Sequence, residues 1–363
     1  MVIREIELQD FRNYKNLRVS FSDGINIFLG ENAQGKTNLL EGIYLNAMAK
    51  SFKTIREKEM IRFGEDYSRI ITRACYGDDE HTVEIIISRE GAKAITIDGV
   101  KIRKTSELLD KLHIIVFSPE DLKIVKDEPT KRRNFIDREI CQIRPRYVSD
   151  MNHYRRALKQ RNACLKEENK DEHVLDIWDR ELVQYGSRVV RMRKEFIQKI
   201  GIISQDIHHR ISGGRENLEI QYETEISGGG SEEEIFYDML KREREKDMHY
   251  GSTGRGPHRD DLKICADGTN LRCFGSQGQQ RTAALSLKLS EIRIIEEETG
   301  EKPILLLDDV LSELDNERQK YLINSLEENQ MFITTTDLIG SVARSLPKGK
   351  IFTIKNGEID IEI

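Results

Sequence analysis

The chain has 363 residues, and its 58 basic and 64 acidic side chains leave a formal charge of −6, so no global basic field draws it to nucleic acid and any such contact needs a local patch. Charged residues reach 34%, above the roughly 25% of ordinary globular chains, which suits long solvated helices; the length allows two lobes or one domain with a large insertion. Cys75, Cys141, Cys164, Cys265 and Cys273 form no C-x-x-C pair, which implies neither a zinc site nor a disulfide framework. No apolar run nears the roughly 18 residues that span a bilayer, and the first residues lack the layout of a secretory signal. A reducing cytoplasm is therefore the expected setting, with no membrane partner.

Ile3, Ile6 and Leu8 mark a first strand, Phe11-Arg12-Asn13-Tyr14 follows, and Leu17 to Phe21 alternates as a second, an antiparallel lead-in. Gly24 to Leu29 reads as a further strand. It feeds Gly30-Glu31-Asn32-Ala33-Gln34-Gly35-Lys36-Thr37, which fits the phosphate-loop pattern G-x-x-x-x-G-K-[ST]. The glycines free backbone N–H groups to face phosphate oxygens, Lys36 reaches the β- and γ-phosphates, and the Thr37 hydroxyl ligates Mg²⁺. Asn38 opens the helical spacing beyond, so the loop ends at a helix N-terminus that favours anions. Gly30 to Asn38 are thus the candidate nucleotide-binding residues.

Val83–Ile87 and Ala94–Ile97, with Asp98-Gly99 as a turn, predict a small β lobe, and Leu112–Phe117 a buried strand ending where Ser118 and Pro119 suit a helix start. From Pro129 to about Ile203 the chain is helical and begins basic. Arg132, Arg133, Arg155, Arg156 and Lys159 are the candidate DNA contacts in this stretch, because phosphate binding needs flexible cations on one face; the alternative is a solvated helix surface. Tyr147, Met151, Tyr154, Leu158 and Leu165 step by four and three with a gap at Arg161, and Leu175, Trp178, Leu182, Tyr185, Val189, Met192 and Phe196 run unbroken. The short link Glu167–Glu172 makes these arms an antiparallel helical hairpin, or else two amphipathic helices packed on a core. A strand within Asn217–Ile226 and a charged helix from Ser231 to Lys246, read as a solvated face, come next; His208-His209 lacks a third metal ligand and reads as surface histidines. The loop Gly254–Asp261 is either a turn or a means of bringing Arg255 or Arg259 to phosphate.

Ile304–Leu307 is an apolar strand ending in Asp308 and Asp309. A phosphate loop requires such a partner: Asp308 for the Mg²⁺ shell and Asp309, with Lys36, as the catalytic candidates, Asp309 orienting or deprotonating the attacking water. Upstream, Ser276-Gln277-Gly278-Gln279-Gln280-Arg281 opens a second helix, so Ser276, Gly278 and Gln279 form a second anion site. One triphosphate has no use for both, and the second serves the nucleotide of another copy.

Ser276 to Arg281 resembles the signature motif of ATP-binding-cassette ATPases, with Gln277 where glycine is usual, and Asp315 resembles that superfamily's D-loop. The layout is similar to the SMC-type DNA-repair ATPases. Phe11–Tyr14, Gly30–Asn38, Phe117–Leu122, Gly256–Asp261 and Ser276–Arg281 together resemble the RecF family of replication and repair proteins. That resemblance implies an α/β fold, a cassette-type ATPase head with a helical insertion lobe, divided as 1–125, 126–250 and 251–363. It implies ATP and Mg²⁺ as cofactors and a homodimer in which Ser276 and Asp315 lie at the interface. It also implies DNA as a partner, together with RecO and RecR, and assistance to RecA loading at gaps. Thr334, Thr335 and Thr336 replace a usual histidine, and Asp309 is one methylene shorter than the usual glutamate; both changes predict slow turnover, with nucleotide as a timer. Ser118–Asp121 stands where a glutamine loop is usual. The competing readings are a stand-alone phosphotransferase acting on a small molecule, which leaves Ser276–Arg281 unused, and a transporter-associated cassette ATPase.

Overall fold

A computed structural model describes residues 1–54, 56–76, 79–109, 111–168, 171–324, 326, 328–336 and 349–362. The chain forms two compact units, Met1–Glu120 with Ile295–Ile363, and Asp121–Ile294. The stretch 251–294, expected with the C-terminal segment, groups with the helical unit instead. There Leu262 and Ile264, together with Ala283, Ala284, Leu287 and Ile294, join its apolar core.

In the first unit, β1 (Val2–Phe11) and β2 (Tyr14–Ser20) pair antiparallel around the Arg12-Asn13 turn. β3 (Ile25–Leu29) leads into α1 (Lys36–Met48) through the phosphate loop. β4 (Tyr67–Tyr76), β5 (Asp79–Ser88), β6 (Ala94–Ile97) and β7 (Val100–Lys101) complete a six-stranded antiparallel sheet in the order β2-β1-β4-β5-β6-β7. The expected β lobe is this sheet, and Asp98 and Gly99, both at positive φ, form its predicted turn. After the short α2 (Ser106–Leu109) comes β8 (Ile114–Phe117), buried throughout.

The second unit opens with α3 (Leu122–Lys126) and α4 (Pro129–Ile143), the latter started by proline at its first position. α5 (Pro145–Cys164) and α6 (Glu172–Ile211) follow. Their polar contacts pair Arg144 with Glu195, Arg193 with Tyr147, Asp150 with Arg188 and Arg161 with Asp179. Numbers rise on one helix as they fall on the other, so the pair is the predicted antiparallel hairpin; Asn169 and Lys170 of its link lie outside the described residues. It is packed rather than free-standing. Leu182, Val189 and Phe196 share a core with residues of β9 (Leu218–Glu223), α7 (Glu232–Tyr250) and β10 (Asp261–Ala266). β10 pairs antiparallel with β9 on one side and with β11 (Thr269–Asn270) on the other. α8 (Leu271–Phe274) then precedes α9 (Gln277–Thr299).

The heptad gap at Arg161 is a buried ion-pair network. Arg161 is fully buried, donates from Nε to Asp179 on α6 at 2.6 Å, and from Nη1 to Asp247 on α7 at 2.6 Å and Thr253 at 2.8 Å. The helix after Ser231, expected to be a solvated face, is corrected on one side: Arg244 is buried, bonded to Asp176 and Asp179. Its start is a capping box, with Ser231 and Glu234 bonded reciprocally.

The chain returns to the first unit at β12 (Ile304–Asp308), followed by α10 (Asn316–Asn324), β13 (Met331–Thr335), β14 (Lys350–Lys355) and β15 (Glu358–Glu362). The second six-stranded sheet runs β15-β14-β3-β13-β12-β8, parallel except for the β15 edge. β8, β12 and β13 read as continuous apolar runs and are buried along almost their whole length, as parallel strands covered on both faces are. Phe21, Phe28, Phe332 and Phe352 cluster there, Phe21 edge-on to Phe332 at 4.8 Å between ring centroids. The parallel register sets Asp308 beside Thr334, and Thr334 beside Phe28 at the end of β3. Strand ends carrying loop and acids are thereby adjacent. Asp337, which follows the threonines standing in place of the histidine, lies outside the described residues.

Candidate functional site

Gly35 is the residue before α1 and takes φ +117; a Cβ there would stand 2.6 Å from Asn13 Nδ2 and 3.0 Å from the Tyr14 hydroxyl. Only glycine fits such a position without displacing the turn behind it. That turn grips the loop. Asn13 Nδ2 donates to the Gln34 carbonyl at 3.0 Å, the Tyr14 hydroxyl donates to the Gly35 carbonyl at 3.0 Å, and Asn38 Nδ2 donates to Asn13 Oδ1 at 2.8 Å. Burial pushes the Tyr14 hydroxyl well above its usual pKa, which keeps its proton in place as a donor. Arg12, at φ +54, forks onto the buried carboxylate of Glu41 at 2.8 and 2.7 Å. Glu31, Asn32 and Ala33 are exposed at the outer rim of the loop.

The Lys36 ammonium donates to the carbonyls of Gly30 and Glu31. Burial lowers its pKa, and Asp309 and Asp308 oppose that shift. Thr37 Oγ1 donates to Asp308 Oδ1 at 2.8 Å, joining residues 271 positions apart. Thr334 Oγ1 donates to the same oxygen at 2.9 Å and accepts from the Asp309 N–H at 2.9 Å. Burial raises the Asp308 pKa, while the Thr37 and Thr334 hydroxyls pull it down and Asp309 raises it further. Asp309 itself sits at φ +53, turned out of the strand and half-buried. Thr334 is thus a site residue whose contacts sequence reasoning did not supply; its signal was the substitution of a threonine where a histidine is usual. Thr37 and Asp308 offer a hydroxyl and a carboxylate side by side, hard oxygen donors that fit Mg²⁺, which takes few protein ligands and completes its shell with phosphate and water. No cluster of three His, Cys, Asp or Glu at metal spacing occurs among the described residues. A cavity of about 850 Å³ opens beside Asn38, lined by Arg12, Asn13, Arg56, Lys58 and Phe63 among others.

The remaining candidates divide by burial. Ser276, Gln277 and Gly278 are exposed at the start of α9, where Ser276 and Gln279 form a second reciprocal cap: the Gln279 N–H donates to Ser276 Oγ and the Ser276 N–H to Gln279 Oε1. Asp315 is exposed and caps α10 through the Arg318 N–H at 3.0 Å; bonding to Arg318 lowers its pKa. Among the candidate DNA contacts, Arg132 is buried and forks onto Asp261 at 2.6 and 2.8 Å, so its guanidinium is spent inside the unit. Arg133 is half-buried and donates to the Asp260 carbonyl at 2.8 Å. Arg155, Arg156 and Lys159 are exposed on α5. His208, expected at the surface, is instead fully buried against Ser286 and Glu216. The loop Gly254–Asp261 is pinned from within: Arg193 donates to the Pro257 carbonyl at 2.6 Å and His258 Nδ1 lies 2.6 Å from the Tyr154 hydroxyl. Burial lowers the His258 pKa to about 4, leaving the ring neutral. Arg255 is paired with Glu225, while Arg259 is exposed.

The sequence pattern of the RecF/RecN/SMC N terminal domain matches residues 2–342. The DNA replication and repair protein RecF of Agathobacter rectalis is 45% identical over 365 residues, with 99% of each chain covered. The chain belongs to the RecF family. A solved structure of the recombination mediator protein RecF-ATP in the RecFOR pathway is 38% identical, with a TM-score of 0.93 over 100% of this chain and 97% of that one. The Smc head domain of Pyrococcus furiosus, 16% identical with a TM-score of 0.58 over 100% of this chain and 96% of that one, shares the fold. The cassette-type ATPase head with a helical insertion is therefore the architecture of this RecF-family chain. No described helix is long and apolar enough to cross a membrane.

Proposed function

We propose that this chain is an ATP-binding protein of DNA repair and recombination, in which ATP joins two copies on DNA and slow hydrolysis releases them. The observation that carries the reading is the hydrogen bond between Thr37 and Asp308, which brings the phosphate loop and the acidic strand end into one oxygen-rich site. The RecF-ATP structure to which this chain is similar supports ATP as the ligand. Gly30 to Asn38 cradle the phosphates, Lys36 leaves its carbonyl partners for them, and the cavity beside Asn38 has room for the nucleoside. Thr37 and Asp308 would hold Mg²⁺, which neutralises charge on the phosphates. Asp309 takes the proton of the attacking water, and Thr334 fixes the backbone from which it projects.

The exposed, capped start of α9 gives Ser276, Gly278 and Gln279 to the nucleotide of a second copy, with Asp315 at the contact, in a two-fold symmetric pair. DNA lies along Arg155, Arg156 and Lys159; Arg132 and Arg133 are left out because their guanidiniums are bonded within the fold. RecO, RecR and RecA loading enter through the family. Sedimentation with Mg²⁺ and ATP, with ADP and without nucleotide tests the assembly: a dimer is expected with ATP alone and is lost in Ser276→Arg. A monomer in all three conditions rejects the two-copy site.

Backbone contacts to DNA are read by salt. Reversing Arg155 and Arg156 to Glu should lower the magnitude of the slope of log K against log salt by about two, one per lost phosphate contact. An unaltered slope places the DNA elsewhere.

A further inference from the structure

Between β14 and β15 the chain turns in two residues, Asn356 at φ +52 and Gly357 at φ +78, with Lys355 paired to Glu358 across them. Positive φ at both central positions is the type I′ hairpin, for which Asn-Gly is the preferred pair. The N–H groups of the two central residues have no partner within such a hairpin. Here both are used on one residue of the phosphate loop. The Asn356 N–H donates to Gln34 Oε1 at 2.6 Å, and the Gly357 N–H donates to the Gln34 carbonyl at 3.0 Å.

The carbonyl contact has a directional consequence. A trans peptide points its C=O and the following N–H to opposite sides. Gln34 O is held outward by Gly357 N and Asn13 Nδ2, so the Gly35 N–H is turned the other way, toward the concave side of the loop. Gly35 O, held by the Tyr14 hydroxyl and by Leu39 N, turns the Lys36 N–H likewise. Two successive backbone donors are thus aimed before any anion arrives. The approach is close at both ends of the turn: a Cβ at Gly357 would stand 2.8 Å from the Asn13 carbonyl, and one at Gly30 would collide with the Ile354 carbonyl.

We infer that the Asn356-Gly357 turn is a positioning element of the nucleotide site, which pre-orients the phosphate-loop N–H groups by clamping Gln34 from more than 300 residues away. It acts through the loop and touches no phosphate itself. The inference rests on the assignment of ATP to this loop. Because the aligned N–H groups serve the α- and β-phosphates, loss of the clamp weakens ATP and ADP alike. A contact made through a second copy affects ATP alone.

The test is titration of the full chain with ATP and with ADP, each in Mg²⁺, alongside thermal melts. Gln34→Met keeps the length of the side chain and removes the acceptor; it should weaken both nucleotides about five- to tenfold, the loss of one net hydrogen bond. Gln34→Glu restores an acceptor for Asn356 but adds a negative charge beside the phosphates, so relative to the native chain at the same salt it should regain most of the affinity only where high salt screens that charge. Gly357→Ala, at a φ that alanine resists and with its Cβ crowding the Asn13 carbonyl, should weaken both nucleotides and also lower the melting temperature of the chain. Equal affinity in Gln34→Met and the native chain overturns the clamp, as does failure of Gln34→Glu to recover, at high salt, what Gln34→Met loses. A native chain that binds neither nucleotide instead overturns the ATP assignment, so the two failures are told apart.

Discussion

Replacing Asp309 by asparagine should leave ATP binding within about twofold of native and slow hydrolysis by roughly 10²–10⁴-fold, the range for loss of a positioned general base. Asparagine is isosteric with aspartate and keeps the backbone N–H that donates to Thr334, so the loop that follows β12 stays where it is. What is lost is the acceptor for the water's proton. Asp308 is a poor substitute in this reading, because its Oδ1 already accepts from both Thr37 and Thr334 and its carboxylate is assigned to the Mg²⁺ shell. A stalled variant that still binds ATP should also hold the proposed dimer longer, and sedimentation with ATP reads this beside the phosphate-release rate. If Asp309→Asn hydrolyses ATP at the native rate, the water is oriented by another group.

Arg161→Ala should be among the most destabilising single changes in the second unit, costing about 3–5 kcal/mol, because it strands buried carboxylates of Asp179 and Asp247. Asp179 keeps Arg244, whereas among the described residues the Asp247 side chain keeps the Gly254 N–H alone. For a unit of this size a loss so large lowers the melting temperature by roughly 6–20 °C. Arg161→Lys should recover little, since one ammonium cannot match a planar fork that serves two helices and Thr253 at once. Differential scanning calorimetry of the native chain and both variants decides it. A shift under about 2 °C for the alanine variant would show that the network relaxes or hydrates without cost.

The contrast between these two residues shows where sequence reading succeeds. The position of Asp309 is legible because an apolar run closing in two acids reads as a strand end, and β12 does end at Asp308. Arg161 was visible only as a break in a heptad, and its charge suggested solvent or DNA. Charged residues are ordinarily exposed; the exceptions depend on partners from other elements, and Asp247 is 86 positions away. Arg132 and His208 follow the same rule, each buried against a partner remote in sequence.

By itself the sequence determined what is local. It specified the loop Gly30–Thr37, the alternating and apolar strands, the helix starts at Ser231 and Ser276, and the antiparallel hairpin, since turn chemistry, capping and periodicity act over a few residues. Only the tertiary structure decided which of these meet. Parallel pairing of β12, β13 and β3 places Asp308 against Thr37 and Thr334, and the turn at Asn356-Gly357 closes on Gln34. Such contacts span hundreds of residues, and no short window of sequence records them. They follow from strand order, which the whole chain sets together when it buries its apolar faces.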